Sequence, residues 1–510
     1  MFRWNELLRA TSKPVAATPE YRCAHNSEDE TFDFNVSALH YNRSAIQDYS
    51  GCLDYSGSVG NDIIAEKCER FVYSREYFTR TIVTDWDLLC GDKFKSTLST
   101  MVYMGGKLVG NFLFGLLSDI FGRKKTLLLA VLLLTAFGLG AAFSPNYYVF
   151  VVLRMGVGAC ASGLYMCLFI ISMELIGKEY RLMTGVVICL FFSLGYVLLS
   201  GIAFLSRNWM NTQMVITFPM LLFLSYYWLV PESARWLLSK NRVAEANEIV
   251  QRAAKVNKVK LPKDFTLEYD EPPKAKFSEM IRKAGTLCTR FVIICLNWFA
   301  VSMGYYGLSL NSGNIGGNIY INFMLSGAVE FLAYGVCFSI NKLGRKGPHI
   351  FGMLVGGVAC IATVLVDHFV KGVPEEKMNV YFVSLNVVGK FGMTVAFCVI
   401  YLWSAEMYPT SLRTSLMGLS AMAGRVGQIL SPLITDIGNF VPKKYSRLLP
   451  AVIFGVSVIL SGLLTFLLPE TADRELPETV EEANIFPRKV KVDETKYLEK
   501  EERNNDQTKF

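Results

Sequence analysis

Gly115-Leu116-Leu117-Ser118-Asp119-Ile120-Phe121-Gly122-Arg123-Lys124-Lys125 decides how this chain reads, because a second, weaker copy stands at Asn341-Lys342-Leu343-Gly344-Arg345-Lys346-Gly347. Each copy lies between two long apolar runs. A repeated basic loop in that setting implies two similar helical bundles side by side. The repeat continues outward in the same order. Glu174 precedes Arg181 by seven positions in the first half, and Glu406 precedes Arg413 by seven in the second. Pro231-Glu232-Ser233 then closes one half and Pro469-Glu470-Thr471 the other. This is a parallel repeat of six-span halves, of which the first half here lacks its first span.

Composition agrees. The 510 residues are 52% hydrophobic, with a mean hydropathy of +0.32. A soluble globule rarely reads this way. Eleven runs approach the roughly 20 apolar residues that cross a hydrocarbon core. They lie at 97–118, 126–144, 148–172, 182–205, 211–230, 291–310, 317–340, 349–366, 379–404, 414–437 and 449–468. The fold class expected is therefore an all-α membrane protein of two bundles.

The net charge of +7 does not point to nucleic acid, because the basic residues collect in 123–125, 231–290 and 342–346. Those loops alternate with poorly charged ones, which places them in the cytoplasm. The expected domains are an outer cysteine-bearing region at 1–96, an N-terminal bundle at 97–230, a cytoplasmic linker at 231–287, a C-terminal bundle at 288–469 and a cytoplasmic tail at 470–510. The outer region carries Cys23, Cys52, Cys68 and Cys90, which allow two bridges in three connectivities. It also carries glycosylation sequons at Asn35 and Asn42. Residues 1–10 hold no apolar run of signal length. The expectation is that a span upstream of Met1 is missing from this sequence; the rival is that 97–118 acts alone as a reverse signal anchor.

Within the linker, 242–255 reads as a short amphipathic helix, and 262–273 is rich in turn residues. The duplicated loops have a mechanical reading. Gly122 permits a tight turn. Asp119 and Arg123 can pair with charges on neighbouring helix ends, for which Glu174, Arg181, Arg345, Glu406 and Arg413 are candidates. Such latches hold helix ends together in one state and release them in another. The plainer reading is that the basic loops only set topology.

Five charged residues fall inside spans: Lys107, Arg154, Glu330, Lys390 and Arg425. Each costs about 2.5–3.5 kcal/mol at a span centre, so each needs a cavity or a partner. Four of them lie near mid-span, which suggests a polar site of net positive character; Arg154 is nearer an outer end and reads as structural. The alternative is that Glu330 neutralises Lys390 or Arg425 in a structural pair. Tyr305, Tyr306 and Tyr320 flank the same half, and Trp298, Phe391, Phe397 and Trp403 could add apolar walls.

Together these residues resemble the organic cation, anion and carnitine transporter branch of the major facilitator superfamily, over nearly the whole chain. The resemblance rests on 117–124, Pro231-Glu232-Ser233-Ala234-Arg235-Trp236-Leu237 and Ala405-Glu406-Met407-Tyr408-Pro409-Thr410-Ser411-Leu412-Arg413. Gly389-Lys390-Phe391-Gly392 looks particularly like the carnitine-type members. The resemblance implies a substrate site between the bundles. Tyr305, Tyr320 and Glu330 match its aromatic and acidic positions, and Lys390 and Arg425 match the basic pair of anion-type members. Cation-selective members usually carry Asp where Arg425 stands, and a Lys of some cation transporters is replaced by Ser162.

The activity expected is transport of a small organic anion or zwitterion such as carnitine, by alternating access, in the plasma membrane. Its partners would be that ion, the lipid bilayer and a coupling ion, with no nucleic acid. A non-transporting regulator and a sugar-type porter are the alternatives; 291–310 lacks the paired Gln residues expected for hexose hydroxyls. No enzyme, cofactor or metal site is expected. Gly177-Lys178 lacks P-loop spacing, and the four His residues show no ligand spacing.

Overall fold

The computed structural model describes residues 18–19, 21–23, 52–59, 62–68, 70–177, 180–262, 267, 285–313, 315–370, 372–410, 412–441, 445–446, 448–472, 474, 477 and 480–484. Asn35 and Asn42 lie outside the described residues. Where no water can satisfy a backbone amide, an apolar run of 20 or so residues has to close its own hydrogen bonds as a helix. The long helices are α1 (Lys93–Phe121), α2 (Arg123–Ala142), α3 (Tyr147–Leu175), α4 (Arg181–Ser206), α5 (Trp209–Thr217), α6 (Thr286–Asn311), α7 (Ile319–Phe338), α8 (Lys346–Phe369), α9 (Glu375–Met407), α10 (Arg413–Asp436) and α11 (Leu448–Leu464). Side-chain caps start several of them. Asn146 accepts from the Val149 amide at α3, and Asn318 accepts from Tyr320 and Ile321 at α7.

Among the described residues, ten helices are long and apolar enough to cross a membrane. The remaining long helix, α10, covers the expected span at 414–437 but is too polar for that measure, holding Arg425 and the buried Gln428. The span expected at 211–230 is irregular. Its α-helical part ends at Thr217 and tightens into a 3-10 segment over Phe218–Ser225. Pro219 is the cause, since it lacks an amide and blocks the preceding turn.

Helices α1 to α5 form one group, with α3 packed on α1 and α2, and α2 on α5. Helices α6 to α11 form the other, in which α6 packs on α10, α9 and α11, and α8 on α9 and α11. Among the described residues the groups meet chiefly where α4 packs on α7 and α1 on α10. Close approach depends on missing side chains. A Cβ at Gly106 would lie 2.3 Å from the Met155 carbonyl, and one at Gly110 would lie 2.2 Å from that of Ala159. Apolar helices gain little by hiding leucine from lipid, so backbone contact of this kind holds them. Accordingly Phe112, Leu132 and Leu222 face outward, while Lys107, Glu330, His349 and Lys390 are buried.

The segment ahead of α1 forms two small antiparallel pairs, Tyr21–Cys23 with Phe71–Tyr73 and Leu53–Val59 with Asp62–Lys67. Of the open connectivities, Cys52 bonds to Cys90; Cys68 is also disulfide-bonded. Residues around Ile82 and Leu89 pack against Phe150 and Trp209, and the Trp209 indole donates to Asp85 at 2.7 Å. This seats the segment on the N-terminal ends of α3 and α5. In the linker, Val243–Val256 is helical as its pattern predicts, with Ala246 packed on Trp236 and Leu237.

Candidate functional site

Glu330 on α7 and Lys390 on α9 point at each other across the second group of helices. Their oxygen and nitrogen are 3.0 Å apart, and both side chains are fully buried. Burying two ions is costly unless the remaining lone pairs and protons are satisfied. Here they are. Glu330 accepts from the Tyr305 hydroxyl at 2.6 Å and from the Ser193 hydroxyl at 2.8 Å. Lys390 donates to the Ser309 hydroxyl and to the Tyr305 carbonyl, and its ammonium sits 3.1 Å from the centre of the Tyr305 ring. Tyr305 thus faces both charges, and its own ring packs on Phe397 at 5.2 Å. Ser193 belongs to α4, so the carboxylate is also a direct bond between the two groups of helices.

Arg425 stands elsewhere, half-buried on α10 where that helix meets α1. A guanidinium has only donors, so the Asn111 amide must turn its oxygen toward it. In that orientation Asn111 accepts from Arg425 Nε at 3.0 Å and Nη2 at 3.3 Å, while its nitrogen donates to Ser162 at 2.5 Å. Among the described residues Arg425 forms no ion pair. Lys107 lies 3.3 Å from the Met104 sulfur and 4.7 Å from the Tyr103 ring centre; Arg154 stacks over the same ring at 4.9 Å. Tyr320 is not with the central charges. It starts α7, where its hydroxyl donates to the Tyr77 carbonyl at 2.5 Å and its carbonyl accepts from Ser200 at 2.6 Å. Trp298 donates to Ser404, and Trp403 to the Pro469 carbonyl, so both indoles are engaged within the second group.

The duplicated loops build the same device twice. Gly122 separates α1 from α2 at φ 105°, and Gly344 precedes α8 at φ 80°. The Arg123 and Lys124 amides that open α2 donate to Glu232, at 2.9 and 3.1 Å. The Arg345 and Lys346 amides that open α8 donate to Glu470, both at 2.9 Å. A carboxylate at a helix N-terminus satisfies orphan amides and meets the positive end of the helix dipole. The arginine then reaches the next helix. Arg345 meets Glu406 at 3.0 Å, whereas Arg123 pairs with Asp119 at 2.7 Å and is 3.9 Å from Glu174. Arg413 does not join this cluster by a hydrogen bond; it donates to the Tyr408 carbonyl and to Thr410. The Arg181 side chain lies outside the described residues.

Glu232 and Glu470 were not among the expected site residues, although the repeated Pro-Glu pair is their signal. Burial pushes the Glu470 carboxyl up, but four backbone amides outweigh it and hold the group below its ordinary value. Asn111 and Ser193 carried no signal in the sequence, since a lone polar residue in an apolar run does not say which helix it faces.

A family model for sugar (and other) transporters matches residues 32–483. The organic cation transporter protein of Drosophila melanogaster is 36% identical over 503 residues, covering 94% of this chain and 89% of its own. The organic cation/carnitine transporter 2 of Rattus norvegicus is 32% identical over 501 residues, covering 92% and 86%. Among solved structures, the xylose transporter XylE from E. coli in an inward-open conformation aligns with a TM-score of 0.59. That alignment covers 96% of this chain and 98% of XylE at 15% identity, a likeness of fold alone.

Proposed function

The chain belongs to the sugar (and other) transporter family of major facilitators, and from that premise we propose that it carries small organic ions across the plasma membrane. Anions or zwitterions such as carnitine are favoured over cations. The observation that carries the preference is Arg425, a cation on the seam between the groups of helices whose bonded partner there, Asn111, is neutral. A substrate carboxylate offers that guanidinium two acceptors at once. Lys390 adds a second positive group, though Glu330 balances it. The relatives, an organic cation transporter protein and an organic cation/carnitine transporter, support organic ions as the class, and the second supports carnitine.

In this reading 97–230 and 288–469 are the moving bundles, 231–287 links them, and 1–96 and 470–510 flank them. The Glu232 and Glu470 clusters stiffen each bundle at its basic-loop end. Outer closure uses Thr97 with Asp436 at 2.8 Å and Tyr320 with Tyr77 and Ser200. Outward opening breaks those bonds. A pure organic cation is the second reading, supported by Tyr305, Phe397, Tyr401 and Trp298, whose rings pack on one another.

The test is uptake of radiolabelled carnitine, an aromatic carboxylate and a quaternary ammonium by cells with quantified surface protein. Arg425→Asp lowers carboxylate uptake and raises the ammonium share. Unchanged selectivity in equally displayed variant protein refutes the assignment.

A further inference from the structure

A cavity of about 390 Å³ lies wholly within the second group of helices, walled by α6, α8, α9, α10 and the start of α11. None of its lining residues is among those of the central charge cluster or of Arg425. Its lining carries no carboxylate, ammonium, guanidinium or imidazole; Phe382 and Phe454 give it apolar walls. Three of its polar groups present acceptors to the space. Thr363 donates its proton to the Ala359 carbonyl at 3.0 Å, and Thr435 donates to Ser431 at 2.9 Å. Both hydroxyls therefore keep only lone pairs for the cavity. Asn386 lines the same space at 6% exposure, and its amide oxygen has no hydrogen-bond partner among the described residues. A buried acceptor left unpaired is costly, and a pocket of this size is in the range that holds small organic ligands.

We infer that this cavity is a second binding site, separate from the transport seam, for an uncharged amphiphile bearing a hydroxyl or amide donor. The donor meets Asn386, and the apolar body lies against Phe382 and Phe454. A charged ligand is disfavoured, because an ion would be desolvated with no counter-charge in the lining. This inference goes beyond the transport reading and does not depend on it.

Cys360 lines the cavity as a free, buried thiol and serves as reporter. The purified full chain in detergent is treated with methyl methanethiosulfonate, and modification of Cys360 is followed by peptide mass spectrometry. The probes are phenylbutanol, its methyl ether, phenylbutyrate and phenylbutylamine. Phenylbutanol should slow Cys360 modification about tenfold at roughly ten times its dissociation constant. The ether should bind about fivefold more weakly, as one lost hydrogen bond implies, and the two charged analogues should also protect more weakly, because the ion is desolvated with no counter-charge in the lining. Asn386→Leu should remove the advantage of the alcohol, Ala451→Phe should fill the space and block modification itself, and Arg425→Asp should leave protection as it was.

The inference is overturned if Cys360 does not react in the ligand-free protein, if all four probes protect alike, or if none protects. Protection that disappears in Arg425→Asp but survives Asn386→Leu would assign the alcohol to the seam and overturn it too. Failure of uptake in the transport assay has no bearing on these outcomes.

Discussion

Removing the buried charges one at a time, and then together, separates a coupled pair from two independent ions. Lys390 and Glu330 are 3.0 Å apart with no exposure to solvent. At an effective dielectric of about 20, Coulomb's law gives roughly 5 kcal/mol for that separation. Breaking a buried pair from one side costs about 3–5 kcal/mol, because the survivor stays buried without its partner. Lys390→Met leaves the carboxylate held by Tyr305 and Ser193 alone. Glu330→Gln leaves the ammonium with Ser309 and with the carbonyl and ring of Tyr305. The double variant keeps the shape, abandons no charge, and should recover to within about 1–2 kcal/mol of the parent. Detergent-solubilised protein is heated in steps, and the folded fraction is read by size-exclusion chromatography. Both single variants should melt well below the double. A double variant that melts at or below the worse single, as independent sites would give, refutes the coupling.

Three further outcomes follow from the clusters away from the central charge pair. Gly122→Ala and Gly344→Ala should each cost about 1–3 kcal/mol, the range for strained backbone, and should lower the melting midpoint. A Cβ there would stand 2.5 Å from Glu232 and 2.7 Å from Glu470; Gly335→Ala, with nothing within 4 Å, is the neutral control. Glu470 is held below its ordinary value of 4.5, so its contribution is complete above that pH and is lost as pH falls through the lower, folded value. Glu470→Gln should flatten the melting midpoint of the solubilised protein between pH 5 and pH 3 (about the carboxylate range) relative to the parent; an unchanged pH profile would contradict the capping role. The Cys52–Cys90 bridge spans 38 residues, for which chain entropy predicts about 4 kcal/mol. Cys52→Ser should therefore reduce surface protein in a biotinylation assay, and full display would show that the bridge is dispensable.

Much of the architecture was legible because a membrane leaves the backbone few options. Apolar runs had to be helices, and the repeated Gly-Arg loop had to recur in equivalent places. The same logic flagged Glu330, Lys390 and Arg425, since a charge inside a span needs a reason. Which cation would take Glu330 was not legible. Lys390 and Arg425 lie 60 and 95 positions beyond Glu330, and only the mutual rotation of α7, α9 and α10 selects between them. Asn111 and Ser193 were silent for the same cause: each acts on a residue of the other half. Tyr320 reads like its neighbour Tyr305 in sequence, yet about two further helical turns and a loop carry it to the N-terminal end of α7, where it meets Tyr77. Pro219 was visible and sufficient to break its span; reading hydropathy alone passed over it.

What the two halves share and where they differ suggests a division of labour. The Gly-Arg turn and its capping glutamate are built twice, with Glu232 and Glu470 making equivalent bonds. A device kept in both bundles is fit for moving each as a body. The arginine partners already diverge, since Arg345 is locked to the buried face of Glu406 while Arg123 leans on the exposed Asp119. The central charge pair is not duplicated: among the described residues the buried charged side chains of the first bundle, Lys107 and Arg154, are both cations. Glu330 and Lys390 occupy one bundle, and Arg425 reaches from that bundle to Asn111 on the other. Ser193 is where the two schemes meet, because its bond to Glu330 ties the charge pair to the opposite bundle. Any rocking of the halves that separates α4 from α7 removes one of the two hydroxyl donors to that carboxylate and leaves Lys390 and Tyr305 to hold it. Ser193→Ala should accordingly shift the balance between inward and outward states, read as a changed ratio of inner to outer substrate affinity, while leaving the Lys390–Glu330 melting behaviour close to that of the parent. An unaltered ratio would mean that the bond is a bystander to the motion and that the charge pair belongs to one bundle alone.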